Sequence, residues 1–250
     1  MQRYFIDQQF QEGVPVIIDG ENFHHMVRVM RMTKGSLFYV VFPNAASAKA
    51  EIETISSDCL EARIVQWETD EKEMPVRITI ASGLPKGDKL ELIIQKGTEL
   101  GAEGFVPFTA DRSIVKWDEK KAKKKVERWE KIAKEAAEQS HRQHVPYVKS
   151  PVSLKELLTF ATDYDHKIIA YEEDAKTGEQ SNLAGILKGA KPGKRLLAVF
   201  GPEGGLTEKE VTVLKDHGFV SCGLGPRIMR AETAPLYVLS AASYQFELMR

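Results

Sequence analysis

Two glycine-bearing segments in the last fifth of the chain restrict its possible folds most. GPEGG, Gly201 to Gly205, follows directly on the apolar run Arg195-Leu-Leu-Ala-Val-Phe200. LGPRIMRAETA, Leu224 to Ala234, follows directly on Phe219-Val-Ser-Cys-Gly223. Each preceding run is β-like, and each following stretch is helix-like; Thr207-Glu-Lys-Glu210 is a capping box that opens the first of these helices. Strand, glycine loop and helix in succession are the units of a parallel sheet, and loops leaving one edge of such a sheet line one ligand crevice. Glycine lets backbone N–H groups come close to a ligand. Glu203, Arg227, Arg230 and Glu232 place both charge signs in that crevice, a composition suited to a zwitterionic, nucleoside-like molecule. GxGxxG spacing is absent from these loops, and the chain contains no GxxxxGK[ST], so neither a dinucleotide fold nor a phosphate loop is indicated. A plain turn needs neither the two arginines nor the two prolines of the second segment.

The remaining chain divides by rhythm. Val14–Ile18, Ser36–Phe42, Lys49–Ile55 and Leu60–Val65 are strand candidates, with Glu51 and Glu53 flanking Ile52 at period two. Phe23, Met26, Val27 and Met30 predict a helix over Glu21–Arg31, with Gly35 shortly past its end. The charged, proline-ended stretch 67–75 reads as a linker. Beyond it, strands at Arg77–Ser82, Phe105–Phe108 and Lys167–Tyr171 alternate with helices. These are marked by Leu90, Ile93, Ile94, Gly97 and Leu100 (closed by Gly101), by Ala122, Val126, Trp129, Ala133 and Ala136 (with Asp118 as cap), and by Leu154, Leu157, Leu158 and Ala161. Gly218 ends the helix after GPEGG, and Leu236–Arg250 reads as an apolar terminal helix. The expected organisation is a small β-rich domain over residues 1–70 and an α/β domain over 71–250 with a parallel sheet covered on both sides.

Bulk properties narrow the function classes. A net charge of −1 argues against a chain coated in positive charge but permits a local basic patch. No apolar stretch reaches the roughly 18 residues of a membrane span, and MQRYFIDQQF has no apolar core of a signal peptide, so a cytoplasmic protein is expected. Cys59 and Cys222, far apart in sequence, read as reduced thiols. No metal is expected: His24 and His25 cannot face one ligand from a helix, and His141 and His144 lack partners at metal spacing. Candidate RNA-binding groups are Arg3, His25, Arg28, Arg31, Lys86, Lys96 and Arg142. The run Lys116–Lys131 mixes eight basic residues with four acids and reads as a solvated helix face.

GPEGG followed by LGPRIMRAETA resembles the knotted methyltransferases of the SPOUT superfamily. More narrowly it resembles the RsmE family, which methylates N3 of a uridine in 16S ribosomal RNA. Lys96-Gly-Thr-Glu-Leu-Gly101, Arg112-Ser-Ile-Val115, Glu135-Ala-Ala-Glu-Gln-Ser140 with Arg142, and Arg3-Tyr-Phe5 are also similar to that family's pattern. Met229 and Ala231 stand where Leu and Thr are common in it. The resemblance implies a PUA-like N-terminal β-barrel, a SPOUT α/β domain with a deep C-terminal trefoil knot, a homodimer, and an RNA substrate in the small ribosomal subunit.

It also implies S-adenosyl-L-methionine as cofactor, held by Tyr171 with Glu172, by Gly201, Pro202, Glu203, Gly204 and Gly205, and by Leu224, Gly225, Ile228, Met229, Arg230 and Ala234. Leu224, Ile228 and Met229 suit an adenine slot. For catalysis Arg230, Glu232 and Arg112 are the candidates: either Glu232 or Glu203 removes the N3 proton, or Arg230 or Arg112 stabilises the uracil anion. The competing readings keep the fold but change the nucleotide, in rRNA or tRNA, or make the chain a non-catalytic assembly factor.

Overall fold

The computed structural model describes residues 1–114, 119–171 and 181–249. They form two compact units, Met1–Glu73 with Ala137–His144, and Met74–Ala136 with Val145–Arg250.

The first unit is built on a five-stranded sheet of β1 (Arg3–Phe5), β2 (Val16–Asp19), β3 (Leu37–Val41), β4 (Ser47–Ile55) and β5 (Cys59–Trp67). Their order is β1-β3-β4-β5-β2, with β1 parallel to β3 and the other pairings antiparallel. Period-two patterning sets the faces: Ala48, Ala50 and Ile52 of β4 are buried while Glu53 is exposed. They pack with Val16, Ile18, Phe38, Val40, Leu60 and the helix residues Phe23 and Met26.

Helix α1 (Gly20–His24) continues as a π-helical turn over His25–Val29 and stops there. This is shorter than the stretch to Arg31 that the apolar spacing predicts. The chain turns at Arg31 itself, whose φ of +54° lies in the left-handed region, while Gly35 (φ +85°) serves the entry to β3. The 67–75 stretch is no loose spacer either: Trp67 closes β5, and the Glu68 and Glu73 carboxylates are held by arginines.

The second unit contains β6 (Arg77–Gly83), α2 (Lys89–Glu99), β7 (Gly104–Thr109), α3 (Glu119–Gln139, its last residues belonging to the first unit), β8 (Tyr147–Val148), β9 (Val152–Ser153), α4 (Leu154–Phe160) and β10 (His166–Ala170). It continues with α5 (Asn182–Gly189), β11 (Arg195–Phe200), α6 (Glu208–Asp216), β12 (Val220–Cys222) and α7 (Thr233–Ser243). The strand order is β12-β10-β11-β6-β7-β8, with β9 also on β7, and every pairing is parallel.

Its central strands are buried on both faces, which is why they read as unbroken apolar runs. Leu196, Ala198 and Phe200 of β11 face α2 and α7 through Leu90, Ile94 and Leu239, while Leu197 and Val199 face α4 and α6 through Leu157, Val211 and Leu214. Both capping boxes are formed, Ser153 with Glu156 before α4 and Thr207 with Glu210 before α6. The terminal helix is α-helical only to Ser243 and ends in a π-helical turn over Tyr244–Leu248. Pro235, Val238, Leu239 and Ala242 form its buried face. The expected cap Asp118 and the expected cofactor residue Glu172 lie outside the described residues.

Candidate functional site

Strand register creates the site. Ala170, the last residue of β10, sits opposite Phe200, the last of β11, and opposite Cys222, the last of β12. The three following segments therefore leave the sheet at one level and on one side. Between them lies a cavity of about 640 Å³. Its walls include Ala170 and Tyr171 after β10, Phe200 to Leu206 after β11, and Leu224 to Ala231 with Ala234 after β12. Lys89, Arg112 and Glu208 complete the lining.

Tight backbone packing gives the GPEGG loop its shape. A Cβ on Gly201 would lie 2.7 Å from the Gly205 carbonyl carbon, closer than any side chain tolerates. Gly205 itself adopts φ +70°, and its N–H donates to the Pro202 carbonyl at 2.8 Å. Arg112, at the end of the segment after β7, donates from Nη1 to the Gly204 carbonyl at 2.7 Å. The nearly buried Glu210 carboxylate fixes that approach: it accepts from the Asp111 N–H at 2.8 Å and from the Thr207 N–H at 2.7 Å. The start of α6 and the Arg112 segment are thus fastened to one side chain.

Lys89 joins the two loops electrostatically. Its Nζ lies 2.9 Å from Glu203 Oε1 and 3.6 Å from Glu232 Oε2. Burial pushes the Glu203 carboxyl up. The Lys89 hydrogen bond and the Lys86 backbone N–H, at 3.1 Å, outweigh that and hold it below the usual carboxylate value. The Glu203 hydrogen bond in turn raises Lys89. Glu232 is different. Its Oε2 is buried, has no hydrogen-bond partner, and is too far from Lys89 for one. It sits at the N-cap of α7, where the helix dipole favours a negative charge.

Apart from Glu172, which is not among the described residues, the residues expected to contact the cofactor all line the cavity, as do Arg112 and Arg230 among those expected to act in catalysis; Glu232 reaches it through Lys89. Ile228 stands at the mouth, 75% exposed, so it forms an open rim and not the enclosed slot that its apolar character suggests. Lys89 is not among the residues that sequence reasoning singles out. Only its spacing of one residue before the apolar Leu90 marks it, and its proximity to Glu203 depends on the pairing of β6 with β11.

The expected RNA-binding residues separate into three groups. His25, Arg28 and Arg31 are exposed along α1 and its exit, with His25 Nδ1 3.0 Å from the Tyr4 hydroxyl. Lys86 adjoins the cavity through its N–H, and Lys96 is bound to Glu99 at 2.8 Å. Arg3 and Arg142 correct the expectation: both are buried inside the first unit. Arg3 pairs with Glu68 at 2.6 Å and lies over the Tyr39 ring, while Arg142 is clamped by Glu73. A guanidinium so enclosed presents no charge to a phosphate.

The RNA methyltransferase domain family matches residues 72–243, and the RNA methyltransferase PUA domain family matches residues 18–65. Over 253 residues the chain is 54% identical to Ribosomal RNA small subunit methyltransferase E of Bacillus subtilis, with 100% of this chain and 99% of that one covered. It is 34% identical to the protein of the same name from Synechocystis over 87% of this chain and 69% of that one. The fold matches, with TM-score 0.85, 27% identity and 98% of each chain covered, the crystal structure of a Ribosomal RNA small subunit methyltransferase E from Neisseria gonorrhoeae bound to S-adenosyl methionine. A methyltransferase from Legionella pneumophila with bound SAM matches at TM-score 0.83, 27% identity and 96% of each chain. With its parallel-sheet unit, its PUA-like N-terminal sheet and full-length similarity on both counts, the chain belongs to the ribosomal RNA small subunit methyltransferase E family.

Proposed function

We propose that this chain transfers a methyl group from S-adenosyl-L-methionine to N3 of a uridine in 16S ribosomal RNA. The observation that carries this is the convergence of the segments after β10, β11 and β12 on one cavity. The cavity fits such a donor. Its volume is in the range of cofactor-sized sites. Its walls present backbone close to the interior at Gly201 to Gly205, and Leu224 offers an apolar surface. Glu203 suits an ammonium, and Arg227 suits a carboxylate.

The bound sulfonium supplies an electrophilic methyl carbon. The protein's own contribution is alignment, proton removal and charge stabilisation. The uracil is extruded from its RNA surroundings to enter the cleft. Of the two acids, Glu203 is committed to Lys89, whereas Glu232 Oε2 has an unused lone pair. Glu232 therefore accepts the N3 proton. As N3 bonds to the methyl carbon, the carbon–sulfur bond breaks and leaves S-adenosylhomocysteine. Arg112 and Arg230 stabilise the charge on the uracil oxygens as the proton departs.

The first unit, approximately residues 1–70, holds RNA through His25, Arg28 and Arg31, and residues 71–250 carry the chemistry. A second copy covers the terminal helix, where Tyr237, Tyr244, Leu248 and Met249 are exposed apolar groups. The trefoil knot, the cytoplasmic setting and the small ribosomal subunit as substrate accompany the family reading. Among the described residues no helix is long and apolar enough to cross a membrane.

Primer extension on 16S rRNA tests the activity, because N3-methyluridine blocks the base-pairing edge. Reverse transcriptase should stop at one uridine in wild-type rRNA and read through it in a strain lacking this gene. A stop that persists in that strain, or calorimetry showing no AdoMet binding, overturns the proposal.

A further inference from the structure

The charge on α3 is unevenly distributed. Residues 120–125 include five lysines, interrupted only by Ala122, whereas acids and bases alternate from Glu127 onward. Averaged over a longer run the helix looks like an ordinary mixed-charge surface. The structure separates its two parts. Lys125 and Arg128 turn toward α2 and share Glu91, at 3.2 and 2.6 Å. Lys120, Lys123 and Lys124 are exposed, and among the described residues no ion pair engages them. Lys120 and Lys124 are separated by one helical turn and Lys123 lies beside them, so the three form one ridge.

The ridge is electrostatically unfavourable in isolation. The N-terminal turns of a helix carry positive dipole charge, which disfavours cations, and lysines three and four apart repel one another. The helix itself therefore disfavours a dense row of exposed lysines at that end. A polyanion would relieve both effects. The position is also specific. Glu91 lies in the first turn of α2, two residues from Lys89, which reaches Glu203 in the cavity wall. Lys120 to Lys124 precede the Glu91 attachment point by at most five residues, about 7.5 Å along the helix axis.

We propose that the first turns of α3 form a phosphate-binding ridge that holds RNA backbone beside the methyl-transfer cleft. This rests on the RNA methyltransferase reading and extends it to a surface in the second unit. The ridge contributes sequence-independent affinity, and its contacts are with phosphates, not bases.

The test is the salt dependence of binding to naked 16S rRNA and to small ribosomal subunits from a strain lacking the enzyme. The triple variant Lys120→Glu, Lys123→Glu, Lys124→Glu should reduce the slope of log K against log salt by about 2–3, as expected for three lost phosphate contacts. Its Kd for naked rRNA at about 0.1 M salt should rise by at least about tenfold. AdoMet affinity should stay the same, and Tm should be unchanged or higher, because the removed charges opposed the helix dipole. If the reversed variant fails to fold, the triple Lys→Gln variant decides by the same slope. An unchanged slope overturns the proposal. So does weaker binding to subunits with unaltered binding to naked rRNA, which would assign the ridge to an acidic protein surface. Should the wild type bind no AdoMet, the enzymatic reading fails, while the salt slope still decides whether the ridge binds RNA.

Discussion

Glu73 in the first unit and Glu232 in the second are both withdrawn from water, yet only Glu73 is saturated. Its carboxylate accepts from Arg142 Nε and Nη2 and from the backbone N–H groups of Gln143 and His144. Burial alone would raise this acid; those donors lower it overall. Glu232 has a 3.6 Å ionic neighbour and a buried oxygen with nothing to accept. The first arrangement is closed and ties the chain segment 137–144 into its unit. The second is open and lies next in sequence to Ala231 of the cavity wall, and an unfilled lone pair so placed is where chemistry is expected. Buried charge by itself thus says little about function; the unfilled valence does.

The largest expected effect breaks the open side. Glu232→Gln should lower the single-turnover methylation rate by about 10²–10⁴-fold, the usual range for loss of a general base, with AdoMet affinity within about tenfold of wild type. A rate within a factor of about three of wild type would remove Glu232 from the chemistry.

Breaking the closed side should affect stability instead. Glu73→Ala removes the carboxylate that clamps the buried Arg142 and accepts from the Gln143 and His144 N–H groups, and should cost about 3 kcal/mol in urea unfolding. A loss below about 1 kcal/mol would show that water replaces the carboxylate there.

Gly201→Ala sharpens the comparison from the backbone. The added methyl group collides with the Gly205 carbonyl carbon, so the loop must open, and AdoMet affinity should fall by about 10–100-fold. Unaltered affinity would mean that the loop adjusts freely.

Acid gives the smallest effect. Because the folded-state value of Glu73 lies below its usual 4.5, its contribution is present above that pH and is lost as pH falls through the folded value. Stability measured from pH 6 downward should therefore decline more steeply in the wild type than in Glu73→Gln. Parallel curves would contradict the shift.

The two sides also differ in how well they can be read from sequence. The GPEGG and LGPRIMRAETA loops, their strands and the Thr207–Glu210 box follow local rules, so spacing alone locates them. Lys89 escapes because its partners lie 114 and 143 residues away, and only strand register brings them together. Arg3 and Arg142 mislead for the same reason. A basic residue near a terminus or a helix exit normally faces water, but residues 137–144 belong to the first unit, where Arg142 meets Glu73 and its carbonyl accepts from Arg3. The early end of α1 is missed because apolar spacing persists to Met30, whereas the π-helical turn and the left-handed Arg31 redirect the backbone.

The alignment of Ala170 with Phe200 and Cys222 has a consequence for how this protein tolerates change in length. Extra residues in the connections before these strands would leave the three exits level. A single residue added or removed within β10, β11 or β12 would displace one exit by about 3.3 Å and turn its neighbouring side chains to the opposite face. Length variation is therefore admissible between the strands and excluded inside them, however conservative the inserted amino acid.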